Sequence, residues 1–307
     1  MTKNTKVLIV LFILLAGASY YYLRPTPERE TSYKSADMNL TIDSVSVSKI
    51  EIQKPGKSIT LENTDGKWFV TFPGKYPANV SNVTQLIGGM KKFKVGSLIS
   101  SNPLKQNQFQ VDSTGTKLTL TNRSGKSVSL VVGKNGPSYT DIYFRLPDSK
   151  DVYLGDGLSP WMFNQELKDW RDKTIFKTTS DSIKQLSFVY KSNNVTLQRD
   201  STKWRISKPA SAKASAGMDT ISANEVTSAL NTLANLNAED FIDPAYTPTT
   251  NPLSVKVQTG EEAALNFFPM PPDSAKYAVQ TSQSQQTYVM SKWTVQQVMK
   301  PVERLLK

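Results

Sequence analysis

Three aspartates have a type and spacing that suggest chemistry. Asp148, Asp151 and Asp156 lie close together and flank a predicted strand. Carboxylate oxygens are the ligands that Ca²⁺ prefers, so three acids in turns are a candidate cation site. The D-x-[DN]-x-[DN]-G pattern of a calcium loop is missing, however, and aspartate is a common turn residue. We therefore interpret the three as turn residues and predict no metal site.

A serine and a lysine match a nucleophile motif by letter. Ser46 and Lys49 form the S-x-x-K spacing found in penicillin-binding enzymes. In those enzymes the serine begins a helix, whereas here the pair lies at the entrance of a predicted strand. The companion motifs S-D-N and K-T-G are missing as well. The match therefore predicts no catalytic serine.

The amino-acid composition excludes several kinds of site. The 307 residues include no cysteine and no histidine. Disulfides, thiolate metal sites and thiol nucleophiles are therefore excluded, and the commonest general base and metal ligand is missing. An enzyme would have to use carboxylates, Lys, Tyr, Ser or Thr, and no Asp/Glu pair has the spacing of a hydrolase site. We predict a non-enzymatic protein without cofactor; a carboxylate-based hydrolase is the remote alternative.

The segment Trp170-Arg171-Asp172 is the polar site with the strongest claim to a role. It directly follows the predicted helix that joins the two halves of the chain. One interpretation is an ion pair between domains that fixes a hinge. The other is a contact with a partner protein.

Four tryptophans fall into two candidate pairs. Trp68 and Trp204 occupy corresponding strand positions and are predicted to pack in the core. Trp161 and Trp293 are a second candidate pair. An exposed tryptophan among them would favour carbohydrate binding.

The distribution of positive charge along the chain does not indicate a surface that binds nucleic acid. There are 37 Lys and Arg against 26 Asp and Glu, a net charge of +11. The excess is spread over the whole chain and forms no stripe along a helix. The densest cluster, Lys91, Lys92 and Lys94, ends a predicted helix, where cations are favoured by the helix dipole. We predict no nucleic-acid partner.

The N-terminal region predicts a membrane anchor. Residues 7–23 are uncharged, and three tyrosines at 20–22 suit the membrane interface. Lys3 and Lys6 keep the 1–6 tail cytoplasmic under the positive-inside rule, and 24–43 forms a linker. The bulk is then periplasmic, at a bacterial inner membrane. A cleaved signal peptide ending at Ala16-Gly17-Ala18 is the alternative.

The part of the chain that we expect to be exported contains two copies of one sequence repeat. A gapless match with an offset of 136 positions aligns Ile50 with Leu186 and Trp68 with Trp204. Farther on, an offset of 143 aligns Val83 with Val226 on a predicted helix. Each unit opens as a meander of alternating strands, in which Asp65-Gly66 forms a hairpin turn.

These patterns predict an α+β fold with tandem repeats. A transmembrane helix precedes two repeats of mainly antiparallel sheet with packed helices. The repeats span 44–157 and 178–307, and a connecting segment at 158–177 contains a helix over 159–170. A C-terminal helix at 293–306 is kinked or divided by Pro301. In the second repeat, Ser222 and Glu225 form a predicted capping box.

The sequence resembles the bacterial family catalogued as domain of unknown function 4340. The resemblance rests on the short anchor, the repeated I/V-T-L and K-W meander at 50–68 and 186–204, the V-Y-L strand at 152–154 and W-R-D-K at 170–173. It covers nearly the whole chain, although an Ala/Ser-rich insertion near residue 211 departs from it. The resemblance implies no known activity but an association with ABC-type or gliding-type transport components.

The function predicted from these observations is structural. We expect a scaffold or accessory subunit of a membrane complex, of ABC-type transport in particular. The alternative is a module that binds an envelope glycan or another ligand in a concave, aromatic-lined cleft between the repeats. The partner, the ligand and the oligomeric state are left open by the sequence.

Overall fold

The structure is a computed structural model that describes most of the chain after the predicted linker. It covers residues 43–305, apart from 192–193, 202, 209–220, 244–245 and 273–274, together with Leu15, Met38 and Leu40. The predicted tail, nearly all of the predicted anchor, most of the predicted linker and the Ala/Ser-rich insertion lie outside the described residues. Among the helices described, none has the length and apolar character needed to cross a membrane.

The described part of the chain is mostly antiparallel sheet with few helices, as the α+β prediction required. The first sheet has nine strands in the order β4-β3-β2-β1-β6-β7-β8-β9-β5. Its strands are β1 (Val47–Lys54), β2 (Lys57–Thr64), β3 (Lys67–Phe72), β4 (Tyr76–Pro77), β5 (Lys94–Ser100), β6 (Thr116–Asn122), β7 (Ser127–Asn135), β8 (Asp141–Arg145) and β9 (Val152–Asp156).

The second sheet has eight described strands in the order β13-β12-β11-β16-β17-β18-β19-β15. They are β11 (Gln185–Val189), β12 (Asn194–Asp200), β13 (Lys203–Lys208), β15 (Asp240–Ile242), β16 (Leu253–Gln258), β17 (Glu262–Pro269), β18 (Lys276–Thr281) and β19 (Ser284–Ser291). A separate pair joins β10 (Thr174–Lys177) to β14 (Asn235–Asn237).

The two sheets share one strand order and one register. Apart from β4, each strand of the first sheet has a counterpart at the same place in the second. In the first, Leu61 pairs with Val70 after a register shift next to Thr60. In the second, Leu197 pairs with Ile206 after the same irregularity. The predicted Asp65-Gly66 turn has two positive φ angles, 52° and 82°, as a tight hairpin requires.

The helices begin and end largely where the sequence predicts. They are α1 (Val80–Lys92), α2 (Leu167–Trp170), α3 (Ala223–Ala234), α4 (Lys292–Val298) and α5 (Val302–Leu305). The division of the C-terminal helix around Pro301 is confirmed. Asn79 caps α1 by accepting from the backbone N–H of Ser81 at 3.1 Å and of Asn82 at 3.3 Å.

Two helix predictions are wrong in detail. The helix predicted at 159–170 is a 3-10 helix, Pro160–Asn164, followed by the single turn of α2. The chain is extended at Glu166, whose N–H donates to the Asp169 carboxylate at 3.1 Å and so starts a new helix. Ser222 is the N-terminal residue of α3, but its side chain makes no capping bond. Glu225 pairs with Lys300 instead, at 3.3 Å.

The chain divides into two compact units. One comprises Met1–Ser58 and Leu86–Phe163, and the other comprises Ile59–Gln85 and Asn164–Lys307. In the second unit, strand residues such as Leu186 and Leu197 pack with the α3 residues Val226, Leu230 and Leu233 in one core. The repeat boundaries were drawn from sequence similarity, and they stay a prediction.

Candidate functional site

The predicted segment Trp170-Arg171-Asp172 is buried beside β4 in the second unit. The side chain of Trp170 is 1% exposed and that of Arg171 is 2% exposed. Arg171 forms an antiparallel bridge with Ala78. The N–H of Asp172 donates to the Pro77 carbonyl at 2.8 Å. The segment therefore runs along the outer side of β4 as a short extension of the sheet.

The Arg171 guanidinium is enclosed by aromatic rings and polar groups. Its central carbon lies 3.6 Å from the centroid of Tyr76 and 3.7 Å from that of Phe241. Its Nη2 and Nε donate to Oε1 of Gln286 at 2.8 and 3.3 Å, and its Nη1 donates to the Asp243 carboxylate. A buried cation is tolerated only when it is paired and hydrogen-bonded, and this one satisfies both conditions. Arg171 thus cross-links three segments that are distant in sequence.

Asp172 is not the partner of Arg171. Its carboxylate accepts from the backbone N–H of Thr174 at 2.9 Å, which fixes the turn into β10. The exposed part of the cluster is Asp243, whose side chain is 46% exposed. The hinge and partner roles foreseen for 170–172 stay predictions.

The other sequence motifs are not assembled into sites. Ser46 donates to the Asp43 carbonyl at 2.9 Å, and Lys49 pairs with Glu51 at 3.1 Å. Asp151 and Asp156 lie before and at the end of β9, on a chain that is extended between them. Among the described residues, no group of three or more His, Cys, Asp or Glu side chains is placed to hold a metal ion.

The outer face of α3 is the candidate binding site. Its inner face carries the buried residues Val226, Leu230 and Leu233. The opposite face carries Asn224, Thr227, Ser228 and Asn231 at helical spacing, so this face is polar but uncharged. Hydroxyls and carboxamides both donate and accept hydrogen bonds, which makes the face suited to a polar, neutral ligand.

A groove of about 500 Å³ lies between this face and α4. Trp293, on the first turn of α4, lines the groove and is 68% exposed. Ser291 caps α4 by accepting from the N–H of Thr294 at 3.3 Å, and Val295 is buried. These contacts fix the turn that carries the indole. Trp161, the other member of the predicted pair, is 49% exposed.

A buried lysine links α3 to the end of α4, the two helices that form the groove. The Lys300 side chain is 7% exposed and pairs with Glu225 of α3 at 3.3 Å. The same ammonium donates to Oε1 of Gln297 at 2.8 Å, so the amide group of Gln297 is held in place at the groove. Tyr190 donates its hydroxyl to the Lys300 carbonyl. Burial and, to a smaller extent, the charge of Glu303 raise the pKa of the Tyr190 phenol, which keeps it protonated.

A second cleft adjoins the groove on the other side of α3. Its volume is about 910 Å³, and it shares Thr227 and Asn231 with the groove. Trp204, which the sequence predicts in the core, is half-buried: it packs against the core of the second unit and also lines this cleft. The nearby Arg199 is already occupied, because its guanidinium bonds the Asp181 carboxylate at 3.0 Å as well as backbone carbonyls. The cleft therefore has a polar rim and an apolar wall.

Trp293 stands out in the sequence, but the groove beside it is not predictable from the sequence. The available signal was the run of Asn, Thr and Ser at positions 224, 227, 228 and 231, opposite the apolar stripe of the same helix. That pattern alone describes any solvated helix face. Only the placement of α4 beside α3 turns the face into a concave surface.

Comparison with known proteins identifies a family. The family model described as "Domain of unknown function (DUF4340)" matches residues 68–255. This range covers more than half of the 307 residues. No curated protein and no solved structure matches the chain. The chain therefore belongs to the DUF4340 family, as the repeated meander and the W-R-D-K segment predicted.

Proposed function

We propose that the protein is a non-enzymatic accessory or scaffold subunit of a membrane complex, with an ABC-type transporter as the expected assembly. Residues 7–23 would hold it in the bacterial inner membrane as a single span, with the N-terminus cytoplasmic and the bulk periplasmic. The apolar run and the lysines before it support this orientation. The matching strand orders of the two sheets support an origin by duplication.

The observation that carries the proposal is the exposed tryptophan of the first unit. Trp161 is 49% exposed, although its neighbours Pro160, Met162 and Phe163 are buried. The buried neighbours fix the short 3-10 helix, so the indole is presented to solvent by a rigid segment. Tryptophan is strongly enriched among the residues that dominate protein–protein binding energy. An exposed and pre-organised tryptophan is therefore suited to anchor a partner protein.

The test is site-specific photocrosslinking of the full-length protein in native membranes. A photoreactive phenylalanine analogue would replace Trp161 in one variant and Lys126, an exposed residue of the β6–β7 turn, in the control. We expect a covalent adduct with an integral membrane protein from position 161 and none from 126. Recovery of the protein only as an uncrosslinked monomer from both variants would contradict the proposal.

A second candidate function is a module that binds an envelope glycan. The groove beside Trp293 supports it, because the groove combines an exposed indole with uncharged polar side chains. The two functions are compatible, since Trp161 and Trp293 lie in different compact units.

A further inference from the structure

The side chains that line the groove beside Trp293 point to its ligand. The ligand inferred below rests on the second candidate function, the glycan-binding module, and gives the chemical class of the glycan. Besides Trp293, the lining consists of polar residues: Asn224, Thr227, Ser228, Asn231, Thr232 and Gln297. Within the described part of the chain, this lining contains no charged side chain. Ligands recognised mainly by their charge, such as phosphates, nucleic acids or metal ions, are therefore poorly matched to the groove.

Several polar atoms of the groove are available to a ligand. Among the described residues, the side chains of Asn224 and Thr227 have no hydrogen-bond partner, so both can donate and accept. Asn231 accepts from the Ser180 hydroxyl at 3.3 Å through Oδ1, and its NH₂ group remains for a ligand. Gln297 accepts from Lys300 at 2.8 Å through Oε1, and its NH₂ group likewise remains. The groove therefore offers donors and acceptors in mixed arrangement.

The exposed indole supplies the apolar contact that hydroxyls and amides lack. Trp293 is 68% exposed, and its helical turn is fixed by the Ser291 cap and the buried Val295. The face of an indole packs well against C–H groups, and an ordered side chain loses little entropy on binding. A sugar ring has C–H groups on its faces and hydroxyls at its edge. That is the complement of a flat aromatic face bordered by carboxamides and hydroxyls.

We propose that the groove between α3 and α4 binds a neutral oligosaccharide, with one sugar ring packed on Trp293 and its hydroxyls bonded by Asn224, Thr227 and Asn231. The 12-residue helix α3 is about 18 Å long, which leaves room for further rings along the same face. The second cleft begins at Thr227 and Asn231, so a longer chain would continue towards Trp204.

The experiment uses the full-length protein in a detergent that has no sugar headgroup. Chitotetraose and cellotetraose are the two neutral probes, and binding is measured by calorimetry and by saturation transfer from protein to sugar protons. We expect at least one of the two sugars to bind. Trp293→Ala should weaken that binding about tenfold or more, the size of effect typical for loss of a buried aromatic contact.

The matched control is Trp161→Ala, which removes the other exposed tryptophan of the predicted pair. It should bind the sugar as the wild type does. The double variant Asn224→Ala/Asn231→Ala keeps the indole and should weaken binding at least threefold, so the result does not depend on one substitution. Failure of both sugars to bind the wild type would overturn the proposal, and so would unchanged binding by Trp293→Ala. Neither result bears on the crosslink expected from position 161, so the two proposals fail separately.

Discussion

The helices α1 and α3 occupy corresponding places in the two sheets, but their outer faces differ. Gly88 and Gly89 of α1 correspond to Asn231 and Thr232 of α3 at the offset that aligns Val83 with Val226. A Cβ atom on Gly89 would lie 3.0 Å from the Gly157 carbonyl oxygen. The chain that follows β9 therefore runs directly against α1. In the second sheet the chain leaves β19 straight into α4, which lies beside α3 and leaves a groove against its polar face.

The two sheets also differ in what lies beyond the edge strands β3 and β13. Strand β3 is covered by β4, and the backbone of β4 is bridged in turn by the Arg171 segment. Its counterpart β13 is the last described strand of the second sheet. The first copy therefore uses this part of the helix and the sheet edge for packing. In the second copy α3 lines a groove, and among the described residues no strand lies beyond β13. A binding site is therefore expected in the second copy.

The largest expected loss of stability comes from substituting the buried Arg171, in comparison with the exposed Arg205. Arg171→Leu should destabilise the protein by about 2 to 4 kcal/mol, because it removes the cation that stacks on Tyr76 and Phe241 and leaves the Gln286 side chain without its donor. The control is Arg205→Leu on strand β13, where the side chain is 72% exposed and pairs with Asp200 at 3.1 Å. That change should cost less than about 1 kcal/mol. The measurement is urea unfolding followed by tryptophan fluorescence. Equal losses in both variants would contradict the structural role assigned to Arg171.

The next effect tests whether the face of α1 is closed. Gly89→Leu should destabilise by about 2 kcal/mol, because the side chain has to displace the backbone of Gly157 and the side chain of Leu158. The corresponding change Thr232→Leu on α3 should cost less than half as much, since its neighbourhood opens into the groove. Thermal unfolding of the two variants measures the difference. A tolerated Gly89→Leu would show that the two faces are equally open.

Much of the architecture was predictable because it depends on local periodicity. Alternating residues such as Ile50 and Ile52 identified strands, and Asp65-Gly66 identified a hairpin turn, since each pattern has one dominant backbone solution. Pro301 divided the last helix as expected. The helix at 159–170 was predicted as continuous because its apolar spacing is helical. The interruption depends on one hydrogen bond from the Glu166 N–H to the Asp169 carboxylate, which periodicity does not report.

The candidate site was less predictable because it depends on tertiary placement. Arg171 was singled out from its position after a helix, but its partners Tyr76, Phe241 and Gln286 are all more than 60 positions away in the sequence. No spacing rule connects them. The spacing of Asn224 and its polar neighbours is typical of any solvated helix face, and only the position of α4 beside them makes this face concave. The sequence therefore indicated which residues were unusual, while the structure determined what surrounds them.

A smaller, pH-dependent effect on stability is expected from the hydrogen bond between Tyr190 and the Lys300 carbonyl. Burial raises the pKa of Tyr190 above its ordinary 10.0, so the folded state keeps the phenol proton after the unfolded chain has lost it. The contribution of the protonated Tyr190 phenol to the free energy of unfolding is fully present below about pH 10. It decreases as the pH rises above that value. Tyr190→Phe should cost about 1 kcal/mol at neutral pH, since the Lys300 carbonyl loses its donor. The difference from the wild type should shrink above pH 10. Tyr139→Phe, at a side chain that is 97% exposed, is the control for both measurements.

The smallest expected changes in stability come from alanine substitutions at the matched positions Gly88 of α1 and Asn231 of α3. A Cβ on Gly88 meets nothing within 4 Å, so Gly88→Ala should stabilise by about 0.5 to 1 kcal/mol through helix propensity alone. Asn231→Ala on α3 gains propensity too, but it loses the bond with Ser180 and should change stability by less than about 0.5 kcal/mol. Urea midpoints of the two variants test the pair. A destabilising Gly88→Ala would mean that the chain after β9 approaches Gly88 as closely as it approaches Gly89, and the closed face of α1 would then be wider than the structure indicates.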